Sequence, residues 1–144
     1  VEIMKRVILF TQKENPLRVS FDDVSGDTSP QRAISTAVIS LARDIEARAI
    51  VAETVTGETA LQIVSHRPAL PLIVVTSSRQ TAQQLALVYG TKAYERPADK
   101  LAATKLTNWL HANKVLKKGD AIVTVSGRYP GVVGMTDTIK VRII

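Results

Sequence analysis

The chain has 144 residues, 45% of them hydrophobic and only 4% aromatic, so it can bury a core built from Val, Ile, Leu and Ala, and disorder is excluded. It contains no cysteine, which excludes disulfides, zinc ribbons and thiol nucleophiles; no long uninterrupted apolar run occurs, which excludes a spanning helix. Nineteen basic against thirteen acidic residues give a net charge of +6, a balance that suits nucleic acid, membrane surfaces or phosphorylated metabolites as partners.

The excess charge is uneven: residues 1–48 carry seven Lys and Arg and seven Asp and Glu, residues 49–144 twelve and six. The opening Val1-Glu2-Ile3-Met4-Lys5-Arg6 sets charges inside an apolar run and is not a secretory signal. Val1, Met4, Val7 and Ile8 fall at helical spacing and predict a helix over 1–14, ended by Asn15-Pro16. A helix already running at the first residue reads as an excerpt from a longer protein, with cytoplasm the expected setting. Residues 15–29 form a polar connection. Ser29-Pro30 then supplies a capping oxygen and a fixed φ, opening a second helix over roughly 30–47 with Ala33, Ile34, Ala37, Val38, Leu41 and Ile45 as its buried stripe.

From Ala49 the texture changes. Ala49–Thr54 and Leu70–Thr76 are short, nearly continuous apolar runs, the pattern of strands buried on both faces of a parallel sheet. Between them Thr56–His66 has helical periodicity. Ser77-Ser78 caps a helix bearing Ala82, Leu85, Ala86 and Tyr89 and closed by Gly90. Thr91–Glu95 reads as a shorter strand, and Leu101, Leu106, Trp109 and Leu110 mark a helix ending near Asn113. Ala121–Ser126 is another buried strand. The Gly127–Gly134 loop is too short for a helical crossover, so Thr138–Ile143 is expected to pair antiparallel. The expected architecture is an α/β sandwich with about five strands, mostly parallel.

In such sheets ligands bind outside the carboxyl ends of the strands, where helix N-termini gather. Thr54-Val55-Thr56-Gly57-Glu58-Thr59 lies at such a place: its hydroxyls, its flexible glycine and the free N–H groups of a helix start can cradle a phosphate. The same residues could equally cap the helix with no ligand. No nucleotide P-loop or dinucleotide fingerprint is present. The loop Gly127–Gly134, with Arg128, could close over an anion or could be a tight hairpin that needs glycine. No catalytic constellation or metal set is legible: His66 and His111 fall on different helices and read as exposed polar residues, and Asp22-Asp23 as solvated. Trp109 reads as core. The basic residues are spread over several elements without an exposed aromatic series, which ranks nucleic acid below a phosphometabolite.

Several motifs in order resemble the C-terminal domain of pyruvate kinases. They are Ala49-Ile50-Val51 with Thr54-x-Thr56-Gly57-x-Thr59-Ala60, then Ser65-x-Arg67-Pro68-x-x-Pro71, Ile73-x-Val75-Thr76 and Thr81-Ala82-x-Gln84-Leu85-Ala86-Leu87-x-x-Gly90. Lys117-Lys118-Gly119-Asp120 and Gly134-x-Thr136-x-Thr138-x-Lys140-Val141 follow. The resemblance implies a three-layer sandwich over 1–144, with 1–29 as leading helix and connection and 30–144 as core. It implies no catalytic residue or metal in this segment, because phosphoryl transfer from phosphoenolpyruvate to ADP, with magnesium and potassium, belongs to a separate barrel. It implies a regulatory and assembly role instead: a phosphorylated sugar or nucleoside monophosphate as effector, and a homotetramer. The effector phosphate would lie on Thr54, Thr56, Gly57 and Thr59, and Gly127, Arg128, Gly131 and Gly134 would close over it. A second phosphate would meet Lys100 or Lys105. The alternative expectation is a free-standing phosphometabolite-binding protein of the same fold.

Two positions depart from the family pattern. Glu58 stands where many members carry Arg or Lys, and Asp137 replaces an Asn. A carboxylate about 5 Å from a phosphate charge costs roughly 3 kcal/mol at an effective dielectric of about 20. A helix N-terminus returns only about 0.3–1 kcal/mol, up to ~2 when partly buried. An effector site therefore requires Glu58 to point to solvent.

Overall fold

The computed structural model describes residues 1–14, 29–127, 129 and 136–144. The elements in chain order are α1 (Glu2–Glu14), α2 (Pro30–Asp44), β1 (Ala49–Glu53), α3 (Glu58–Ser65), β2 (Leu72–Thr76), α4 (Arg79–Leu85), β3 (Thr91–Glu95), α5 (Ala102–Ala112), β4 (Ala121–Gly127) and β5 (Thr136–Ile143). The five strands form one sheet in the order β3-β2-β1-β4-β5. The β1–β2, β2–β3 and β1–β4 pairs are parallel, and β4–β5 is antiparallel, Val123 lying opposite Val141.

Burial follows position in the sheet. All of β2 and the first four residues of β1 are buried, because helices cover both faces of the central strands. The edge strands β3 and β5 alternate between half-buried and exposed residues. On one face Val38, Ile39 and Ala42 of α2, Ala60 and Ile63 of α3 and Leu85 of α4 pack on Ile50, Ala52, Leu72, Val74, Val123 and Val125. On the other, α5 alone brings Ala102, Ala103, Leu106 and Leu110 against Ala49, Val51, Ile73, Val75 and Ile122. The result is the three-layer sandwich. Truncating a fully buried leucine such as Leu106 or Leu110 to alanine in such a core costs about 2–5 kcal/mol.

Helix starts follow local chemistry. Ser29 accepts the Arg32 N–H at 3.4 Å with Pro30 at the first position of α2, and Ser78 accepts the Thr81 N–H at 3.2 Å to open α4. Several element bounds differ from the sequence reading: α2 ends at Asp44, short of 47, and β5 begins at Thr136, not Thr138. The second strand begins at Leu72, not Leu70. Helix α3 begins at Glu58, not Thr56, because the preceding residues fold into a hydroxyl-stabilised turn. Helix α4 ends at Leu85: Leu87 N–H and Val88 N–H bond back three residues, to Gln84 O and Leu85 O, and leave Leu87 and Tyr89 exposed. Helix α1 has no buried residue; Val1, Ile3, Met4, Val7, Ile8, Leu9 and Phe10 are all exposed, and Gln12 Nε2 donates to the Tyr89 hydroxyl at 3.0 Å. The expected stop of α1 at Asn15-Pro16 lies outside the described residues.

Candidate functional site

Because β1–α3–β2 and β2–α4–β3 cross one face and β3–α5–β4 the other, the strand order reverses between β1 and β4. The switch point at the carboxyl ends of those two strands is the usual ligand position in open α/β sheets. The Thr54–Thr59 segment occupies it. Thr54 is buried; its N–H donates to Val75 O at 3.1 Å and its Oγ1 accepts the Gly57 N–H at 3.0 Å. Gly57 then adopts φ +89°, where a side chain is strained, and a Cβ there would lie 3.3 Å from Thr81 Cγ2. Thr56 Oγ1 accepts the Glu58 N–H at 3.4 Å, and Thr81 Oγ1 donates to Val55 O at 2.8 Å, tying the turn to α4.

The hydroxyls of Thr54 and Thr56 are thus engaged in shaping the turn. What remains at the first turn of α3 are the amides of Thr59 and Ala60, which have no acceptor among the described residues. Thr59 Oγ1 sits 2.9 Å from Thr136 Oγ1, joining the helix start to the first residue of β5 and so to the end of the glycine loop. Glu58 is exposed and lies along α3, its Oε1 accepting from Gln62 Nε2 at 3.5 Å. Gly127 ends β4 at an irregularity in the β4–β5 register. Arg128, Gly131 and Gly134 lie outside the described residues.

Beside this turn a shallow cleft, partly open to solvent, runs over the ends of β1, β2 and β3, lined among others by Glu53, Thr54, Thr76, Ser77, Arg96 and Ala102. Burial pushes the Glu53 carboxyl above its ordinary pKa; the Asp99 carboxylate adds to the shift and a hydrogen bond from the Ala103 backbone opposes it. Asp99 moves the other way, held below the usual carboxylate range by hydrogen bonds from Lys105 Nζ, at 2.5 Å, and from Leu101 N–H, at 2.7 Å. Lys105 is therefore already committed to a carboxylate. Lys100 is exposed in the turn before α5.

The sequence reading missed Glu53 and Arg96, which the parallel register of three strands brings to one cleft, and Asp99, which follows β3 and acts on Glu53. It also misread Trp109, which is 42% exposed and meets Tyr94 edge-on at 5.6 Å. His66 is half-buried at the end of α3, not exposed, and burial, followed by the nearby Arg32 charge, lowers its pKa. His111 Nδ1 lies 3.2 Å from Leu116 O. Among the described residues no group of three or more His, Asp or Glu could hold a metal ion, and no helix is long and apolar enough to cross a membrane.

Comparison with known proteins gives the family: residues 32–142 match the pyruvate kinase alpha/beta domain. Pyruvate kinase 2 of Synechocystis sp. is 36% identical over 120 residues, 81% of this chain and 20% of that protein. A pyruvate kinase of Agrobacterium vitis is 33% identical over an alignment of 151 positions, covering 98% of this chain and 31% of its own length. In the crystal structure of a pyruvate kinase from Cryptosporidium parvum, 22% identical, the same fold recurs with a TM-score of 0.73, over 83% of this chain and 24% of that one. The chain belongs to the pyruvate kinase alpha/beta (C-terminal) domain family, and it spans between a fifth and a third of the length of these two sequence relatives.

Proposed function

We propose that this chain is the regulatory and assembly portion of a cytoplasmic pyruvate kinase, binding a phosphorylated effector and contributing to a homotetramer, with no turnover of its own. In this reading residues 1–144 act as one unit. The phosphoryl transfer, and the magnesium and potassium that serve it, belong to a catalytic barrel elsewhere in the enzyme. The observation that carries the effector reading is the pair of amides at Thr59 and Ala60, without acceptors among the described residues, at the N-terminus of α3 beside the switch point. Backbone N–H groups at a helix start favour phosphate oxygens through both hydrogen bonding and the helix dipole. The outward course of Glu58 toward Gln62 removes the nearest carboxylate from that position. For assembly the support is α1, whose row of exposed apolar side chains is the kind of surface another part of a larger protein covers.

The test is thermal-shift titration of the chain with sugar bisphosphates, sugar monophosphates and nucleoside monophosphates. An effector at one hundred times its Kd adds about 2.7 kcal/mol to the native state, or roughly 5–10 °C for a domain near this size. Thr59→Glu, which places a carboxylate at the anion position, abolishes the shift. If no compound in the panel raises the midpoint, or if Thr59→Glu leaves the shift intact, the effector reading is wrong.

A further inference from the structure

Strand β3 has β2 on one side and no strand on the other among the described residues. The parallel ladder fixes which of its backbone groups are used. Leu72 N–H donates to Gly90 O and Arg96 N–H to Thr76 O, both at 2.9 Å. In the alternation of a parallel pair, the even-numbered residues therefore face β2, and Ala93 turns its N–H and C=O, and Glu95 its N–H, away from the sheet. Side chains alternate between faces as well. Ala93 packs toward α4, whereas Tyr94 belongs to the α5 face.

On that face four side chains form a ladder. Lys92 Nζ lies 5.5 Å from the Tyr94 ring centroid, Tyr94 meets Trp109 edge-on, and the Arg96 guanidinium lies 5.4 Å from the Trp109 centroid. Stacking holds both cations in place without neutralising them, and neither meets a carboxylate among the described residues. The part of the chain that carries them is basic in sequence. Residues 91–144 carry ten Lys and Arg against four Asp and Glu, the whole +6 of the chain, since residues 1–90 carry nine of each sign.

Charge on an edge strand normally discourages pairing; here it also selects a partner. A second copy paired antiparallel about Tyr94, with matching faces, would set Lys92 against Arg96, which is unfavourable. Bases of a nucleic-acid strand need open ring faces, and Lys92 and Arg96 lie over those of Tyr94 and Trp109. An extended acidic peptide meets neither obstacle. We propose that the open edge of β3 docks an acidic segment of a partner protein as an added strand, with carboxylates opposite Lys92 and Arg96 and an apolar side chain between them against Tyr94. Arg96 also lines the cleft beside the α3 turn, but Lys92, Ala93 and Tyr94 do not, so the Lys92 and Ala93 variants test the edge independently of effector binding.

Trp109 is the only tryptophan, so its fluorescence reports on this edge directly. The 144-residue chain is titrated with a seven-residue peptide that has glutamate second and sixth, valine fourth, and serine or threonine elsewhere. A control peptide of the same composition has its glutamates adjacent, and a ten-nucleotide oligothymidylate serves as a second probe. The expected result is a saturable change in Trp109 emission that weakens with salt and needs about tenfold less patterned peptide than control. Lys92→Glu, at an exposed position, weakens the patterned peptide about tenfold. Ala93→Pro removes an N–H that the sheet does not use, and abolishes binding while the circular dichroism is retained. The proposal is overturned if both peptides bind equally, if Lys92→Glu has no effect, if only the oligonucleotide changes the emission, or if no response appears at millimolar peptide.

Discussion

Replacing Gly57 with alanine tests how tightly the α3 turn is built. At φ +89° an L-residue carries the left-handed penalty, about 1–2 kcal/mol. The new methyl would also stand 3.3 Å from Thr81 Cγ2 and 3.5 Å from Leu85 Cδ2. Both neighbours are buried and fixed, Thr81 by its bond to Val55 O, so they yield little and overpacking adds roughly 1 kcal/mol or more. The expected loss is about 2–4 kcal/mol. Gly119→Ala supplies an internal control: its φ is +91°, yet nothing lies within 4 Å of the added Cβ. That variant carries the backbone penalty alone, about 1–2 kcal/mol. Urea unfolding of the two variants, compared at unchanged m-value, isolates the packing contribution. Equal losses at the two glycines would refute the claim that the turn is pressed against α4.

Three further outcomes follow from the same geometry. Thr54→Val keeps shape but leaves the buried Gly57 N–H without its acceptor, and unfolding should show a loss of about 1–3 kcal/mol. Ser78→Ala removes the cap on α4 and costs about 0.5–2 kcal/mol by the same measurement. Glu53, whose folded pKa is raised, contributes stability that is fully present below its unfolded value of 4.5 and lost as pH rises through the folded value. Glu53→Gln removes that loss and retains a carbonyl for the Ala103 N–H, so the wild type should fall behind this variant between about pH 4.5 and neutrality. An unchanged difference across that range in pH-dependent melting would show that Glu53 is effectively solvated.

The sequence carried most of the fold because its signals are local. Thr91–Glu95 was bounded correctly as a strand, and Ser29-Pro30 marked the start of α2, since both depend on neighbouring residues. The end of α4 was not legible: Ala82, Leu85, Ala86 and Tyr89 keep helical spacing, but Ala86 and Tyr89 have no core to enter. The site divides in the same way. The Thr54–Thr59 turn announces itself through a buried strand followed by threonines and a glycine. Glu53, Thr76 and Arg96 have no such signature, because strand register brings them to one cleft. Trp109 misled for a geometric reason. It stands about one hundred degrees from Leu110 around the helix, at the border of the buried stripe, where it turns toward Tyr94 instead of the core.

The charges around the α3 turn determine what kind of anion site it can be. Glu58 runs outward, Lys105 is held by Asp99, and burial and the Asp99 charge raise the Glu53 pKa. Arg96 lines the neighbouring cleft but is held over Trp109, so among the described residues the groups left at the helix start itself are the Thr59 and Ala60 amides. An anion there depends on backbone amides, whose geometry is set by the Thr54–Gly57 bond and whose strength salt screens less than it screens surface ion pairs. Arg128, which the sequence places just beyond β4, is the cation nearest in the chain to Gly127. Phosphate recognition at the turn should therefore survive moderate salt in an Arg128→Ala variant with reduced affinity, whereas a site built on side-chain cations would lose affinity steeply with salt before any mutation. Measuring the salt dependence of the thermal shift for both proteins separates the two designs.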